Sequence, residues 1–108
     1  MAYDEGLAQR IEDILADGPV EPKKMFGGVA YMWNGNMAVC VMGSELMVRV
    51  GKDATTAMLQ EPHAREMEMS GRTMGGWVLV AEAGVAEDAD LQQWVQRGVA
   101  YTDSLPPK

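Results

Sequence analysis

The chain has 108 residues, of which 47% are hydrophobic and 23% charged, and its net charge is −7 at pH 7. That is one domain of ordinary size, globular rather than disordered in composition and long enough for a core without disulfides or metals. The acidic balance also argues against non-specific grip on a phosphate backbone, so direct nucleic-acid binding is not expected.

Cys40 is the single cysteine, so no intrachain disulfide can form, and the usage fits a reducing cytosol. The opening Met1-Ala2-Tyr3-Asp4-Glu5 has no hydrophobic signal core, and no apolar run approaches the roughly 18–20 residues a membrane span needs. The expectation is a bacterial-type cytoplasmic protein with no membrane association.

Taken in order, residues 4–17 space Leu7, Ile11, Ile14 and Leu15 as one face of an amphipathic helix. Asp4 is placed to cap it and Gly18-Pro19 to stop it. The segment 19–24 reads as a linker, with Pro22 holding Glu21 extended. Residues 25–51 read as a three-stranded meander. Its strands are Val29–Trp33, Met37–Met42 and Leu46–Val50, and its first turn is Asn34-Gly35, a pair suited to type I′ geometry.

The alternation in this meander is unusual. Val29, Tyr31 and Trp33 fall on one face, with Ala30 and Met32 on the other. Met37, Val39 and Val41 alternate with Ala38, Cys40 and Met42. A sheet with one wet face shows polar residues at every second position. Here both faces are apolar, so the second must be covered by the chain itself or by another subunit.

Beyond Gly51, Asp53 is placed to cap a short helix over 54–60, with Ala54, Ala57 and Met58 inward. Glu66-Met67-Glu68-Met69-Ser70 alternates as a half-exposed strand. The glycine-rich 71–76 reads as a connection into a strand at Trp77–Ala81. Asp90 with Gln93 resembles a capping box ahead of a final helix striped with Leu91, Trp94, Val95, Gly98, Tyr101 and Leu105. Gly98 inside it implies close approach to another backbone, since glycine costs about 1 kcal/mol there against alanine. The expected fold is α+β, two-layered, with a five-stranded mainly antiparallel sheet in the order α-β-β-β-α-β-β-α, as a single domain over 1–108.

Several stretches carry a family likeness: Lys24-Met25-Phe26-Gly27-Gly28, Asn34-Gly35-Asn36-Met37, Leu46-Met47-Val48-Arg49-Val50, and Gly71-Arg72-Thr73-Met74 with Gly76-Trp77-Val78. The close, Ser104-Leu105-Pro106-Pro107-Lys108, carries it too. Over almost its whole length the chain resembles the TfoX N-terminal domain family, of the competence-regulator type. The resemblance implies a two-layer α+β domain similar to the secretion-chaperone-like fold. The full regulator continues into a helical C-terminal domain and activates genes together with the cyclic-AMP receptor protein. This chain stops without that domain, so the gene-activating role does not transfer as it stands.

For chemistry, Cys40 and His63 form the only thiol–imidazole pair available. The simpler reading of Cys40, mid-strand between valines, is a buried structural cysteine. One His and one Cys cannot supply the usual zinc set, so neither a metal nor another cofactor is expected. Lys24, Met25, Phe26, Gly27 and Gly28, and Arg72 with Gly75, Gly76 and Trp77, form two basic, glycine-rich segments. Each could cradle an anion, or simply permit a bulge or a tight strand crossing. Arg49 is either a surface residue or an ion-pair partner. The methionines suit an adaptable protein-binding surface as well as plain core filling.

The function expected is therefore a non-enzymatic protein-interaction or regulatory accessory domain, with a protein partner or self-association as a homo-oligomer. The alternative is a small anion- or phosphometabolite-binding module or enzyme built on Lys24, Arg72 and the glycine segments.

Overall fold

The computed structural model describes residues 3–25, 27–69 and 71–107. The first helix forms where its apolar spacing places it: α1 spans Glu5–Ile14, and the Leu7 amide donates to Asp4 Oδ1 at 3.1 Å. Leu7, Ala8, Ile11 and Leu15 are buried along it.

Six strands follow: β1 (Val20–Met25), β2 (Gly28–Trp33), β3 (Asn36–Met42), β4 (Glu45–Arg49), β5 (Ala64–Met69) and β6 (Arg72–Val80). They pair antiparallel in the order β1-β2-β3-β4-β6-β5. The sheet thus has six strands rather than the expected five, because most of the 19–24 segment, expected to be a linker, forms β1. Pro22 is tolerated there because β1 is an edge strand, bonded on one side only. The glycine-rich 72–76 is likewise not a connection but the first half of β6. Asn34 and Gly35 take positive φ angles of 52° and 84°, as the hairpin between β2 and β3 requires.

Two further helices complete the chain: α2 (Lys52–Met58) and α3 (Asp88–Asp103), with a 3-10 turn at Glu82–Gly84 between β6 and α3. Gly51, not Asp53, occupies the N-cap position of α2, and Asp53 lies in its first turn. Ala54 and Met58 pack inward as expected, while Ala57 is exposed. Helix α3 starts earlier than the Asp90-Gln93 pattern suggests, with Glu87 at its N-cap.

All three helices serve one face. Leu7, Ile11, Leu91, Trp94 and Val95 pack with Val29, Tyr31, Val39, Val41, Leu46, Val48, Val78 and Val80 in a single core. The Tyr31 hydroxyl reaches into α1, 2.9 Å from Glu12 Oε2 and 3.2 Å from the Ala8 carbonyl oxygen.

The expected alternation of β3 breaks at one place. Tyr31 pairs with Val39 but Met32 pairs with Met37, so Ala38 is an extra residue in β3. This bulge turns Met37 to the opposite face from Val39 and Val41, beside Met32 and Cys40.

Candidate functional site

Two features stand out on the helix-free side of the sheet and at its end. The first is the sheet face itself. Ala30, Cys40, Met47 and Met67 are buried there, and Met25, Met32, Met37, Met42, Met74, Trp77 and Leu79 lie half-buried around them. These residues come from all six strands, and among the described residues no helix residue belongs to the cluster. The methionines close over the small Ala30 and Cys40 but leave their own outer surfaces open.

The second is a cleft of about 420 Å³ where β4 runs into α2 and β6 passes beside it. Its wall is fixed by a hydrogen-bonded clasp. The amides of Val50 and Gly51 both donate to the Gly76 carbonyl oxygen, at 2.8 and 3.0 Å. Gly76 N–H donates to Thr55 Oγ1 at 3.0 Å, and that hydroxyl donates to the Gly51 carbonyl at 2.8 Å. Gly51 and Gly76 hold φ angles of 87° and 91°, which side chains with a Cβ resist. A Cβ on Gly51 would also stand 2.4 Å from the Tyr101 ring.

Into this cleft project Arg49, Lys52, Asp53, Trp77 and Tyr101. The Arg49 guanidinium carbon is 5.4 Å from the Trp77 ring centroid and 5.6 Å from that of Tyr101. Both separations are within cation–π range. Among the described residues, neither Arg49 nor Lys52 has a carboxylate within ion-pair distance; the basic side chains that do are Arg10, Arg65 and Arg97.

A family model for the TfoX N-terminal domain matches residues 12–101. The chain belongs to the TfoX N-terminal domain family. Curated proteins yield no match to it. The family match spans α2, β6 and most of α3, so the cleft residues Arg49 to Tyr101 lie inside the TfoX N-terminal unit.

Within this TfoX N-terminal domain the two glycine-rich segments do not share one site. Lys24 and Met25 end β1 at one edge, Gly27 and Gly28 turn into β2, and Arg72 begins β6, with β2, β3 and β4 between β1 and β6. Phe26 lies outside the described residues. Gly28 has a packing role, since a Cβ there would sit 1.9 Å from the Val41 carbonyl oxygen. Arg49, Gly75, Gly76 and Trp77 do come together in the cleft, and Lys24 and Arg72 do not line it. Lys52 and Tyr101 are the residues sequence reasoning missed. The signal was Arg49, out of phase with Leu46, Val48 and Val50, followed three residues later by a second cation across a glycine.

Cys40 and His63 also lie apart. Cys40 is buried in the methionine-rich cluster, where burial pushes its thiol up to about 11. His63 sits between α2 and β5 in a small hollow with Glu61, Gly84 and Trp94, on the helix side. Among the described residues no group of three or more His, Cys, Asp or Glu side chains could hold a metal, and no helix is long and apolar enough to cross a membrane.

Proposed function

We propose that this domain is a non-catalytic, cytoplasmic regulatory accessory of the competence-regulator type, working through protein docking rather than chemistry. Its docking surface is the helix-free face of the sheet, and the occupant is a second copy of the same chain. The observation that carries this reading is the breadth of that face, which draws apolar side chains from every strand.

Breadth decides the occupant. Six strands at about 4.8 Å spacing extend roughly 24 Å across. A single helix is only about 10 Å in diameter and would leave most of the face open. Another sheet of the same width, about 10 Å away, covers it. A twofold pair closes on itself, so it ends at two copies. Methionine suits such a self-complementary seam because its unbranched side chain repacks at low cost.

Dilution of the protein with its methionine ε-methyl groups 13C-labelled tests this. Dissociation should shift the signals of Met32, Met37, Met42 and Met74, while Met58 on the helix side stays in place. Signals that do not move with concentration from the millimolar to the low micromolar range, in a species of single-chain mass, would refute the pairing.

A further inference from the structure

The cleft beside Arg49 carries a second role, although it shares Trp77 with the open sheet face. We infer that it binds a small aromatic anion: a phosphate or carboxylate head on a flat ring.

The charge comes first. The chain holds 16 acidic and nine Lys or Arg residues, yet two of those nine, Arg49 and Lys52, line one cleft. Among the described residues neither has an ion-pair partner. Arg49 is held between Trp77 and Tyr101 by its cationic plane. Two such ring contacts favour one rotamer before a ligand arrives, and the N–H donors stay available for a two-point contact with an oxyanion. Lys52 is exposed at the cleft and supplies a mobile second charge.

The shape argues for an organic body behind the anionic head. A volume of about 420 Å³ is in the range of small-molecule sites and exceeds what a bare inorganic ion fills. Trp77 and Tyr101 are each half-buried and line it, offering ring surface to a flat group. Asp53 lines it too, so the three charged side chains sum to +1. That balance suits a head of low charge and disfavours a polyphosphate. The Asp53 carboxylate would accept a hydrogen bond from a donor elsewhere on the ligand.

The test is a 15N NMR titration of the intact protein with phenyl phosphate and with benzoate, set beside inorganic phosphate and phenol. The Trp77 indole N–H and the Gly75 and Gly76 amides should shift with one or both aromatic anions, and which of the two works separates phosphate from carboxylate sources. Inorganic phosphate and phenol should bind at least about tenfold more weakly. Lys52→Ala, at an exposed position, should weaken the aromatic anion about tenfold and leave the rest of the spectrum unchanged. Arg49→Gln should abolish it. No shift from either aromatic anion would overturn the inference. So would undiminished binding by Lys52→Ala, or inorganic phosphate binding as tightly as phenyl phosphate. Methionine-face pairing has a separate readout in the Met methyl signals, so either idea can fail without the other.

Discussion

Gly98 of α3 lies so close over Ala38 of β3 that a Cβ on the glycine would stand 2.7 Å from the Ala38 carbonyl oxygen. Ala38 is the bulged residue of its strand, and the contact lets the helix settle onto the sheet at that point. A helical glycine looks like a defect of about 1 kcal/mol; here it is the condition for packing. Gly98→Ala gains that propensity but drives a methyl into backbone, an overpacking cost of roughly 1–3 kcal/mol. The expected outcome is a net loss of up to about 2 kcal/mol in urea unfolding, with a larger loss for Gly98→Val.

The buried Cys40 thiol should be slow to react. Burial raises its pKa from 9.0 to about 11, so at pH 8 the thiolate fraction falls about a hundredfold before access is considered. A thiol reagent should label the native protein at least about a hundred times more slowly than the protein in denaturant. Equal rates would place the cysteine at the surface.

Alkaline pH should destabilise the fold in a defined order. The Cys40 pKa is raised by burial, and that of Tyr31 is raised by burial and then by the hydrogen bond to Glu12. Both groups are therefore deprotonated more readily in the unfolded chain. Their stabilising contribution is intact below pH 9 and declines as pH rises from the ordinary thiol value of 9.0 through about 11. Tyr31 adds to the decline above its ordinary value of 10.0. Unfolding measured between pH 8 and 11 should show falling stability, and Cys40→Ala should flatten the lower part of that slope.

Thr55 joins Gly51 to Gly76 through one donated and one accepted hydrogen bond. Thr55→Ala should cost about 1–2 kcal/mol and speed hydrogen exchange at the Gly76 amide. Thr55→Ser, which keeps the hydroxyl, should restore most of the protection.

How much of this was legible in the sequence depended on whether a signal was local. The Asn34-Gly35 turn, the Asp4 cap and the Gly98 approach were readable because each depends on one residue's own stereochemistry. Strand β1 was not, since Pro22 and two lysines look like a linker until the strand is seen to lie at an edge. The bulge at Ala38 was invisible because it is set by register against β2, and it reversed the side on which Met37 lies. The cleft was half legible. Arg49, Gly75, Gly76 and Trp77 could be singled out, but Lys24 and Arg72 looked equally basic and glycine-rich. Only the strand order β1-β2-β3-β4-β6-β5 separates them from the site. The two apolar faces of the meander were read correctly, and the structure has no helix on the second of them among the described residues.

The central claim is that this open face pairs with a copy of itself, and sedimentation equilibrium tests it most directly. The wild-type protein should run at twice the chain mass of 11.8 kDa. Met37→Glu, which sets a charge on the open face, should run as a folded single chain. A wild-type protein that stays at 11.8 kDa at millimolar concentration would contradict the account.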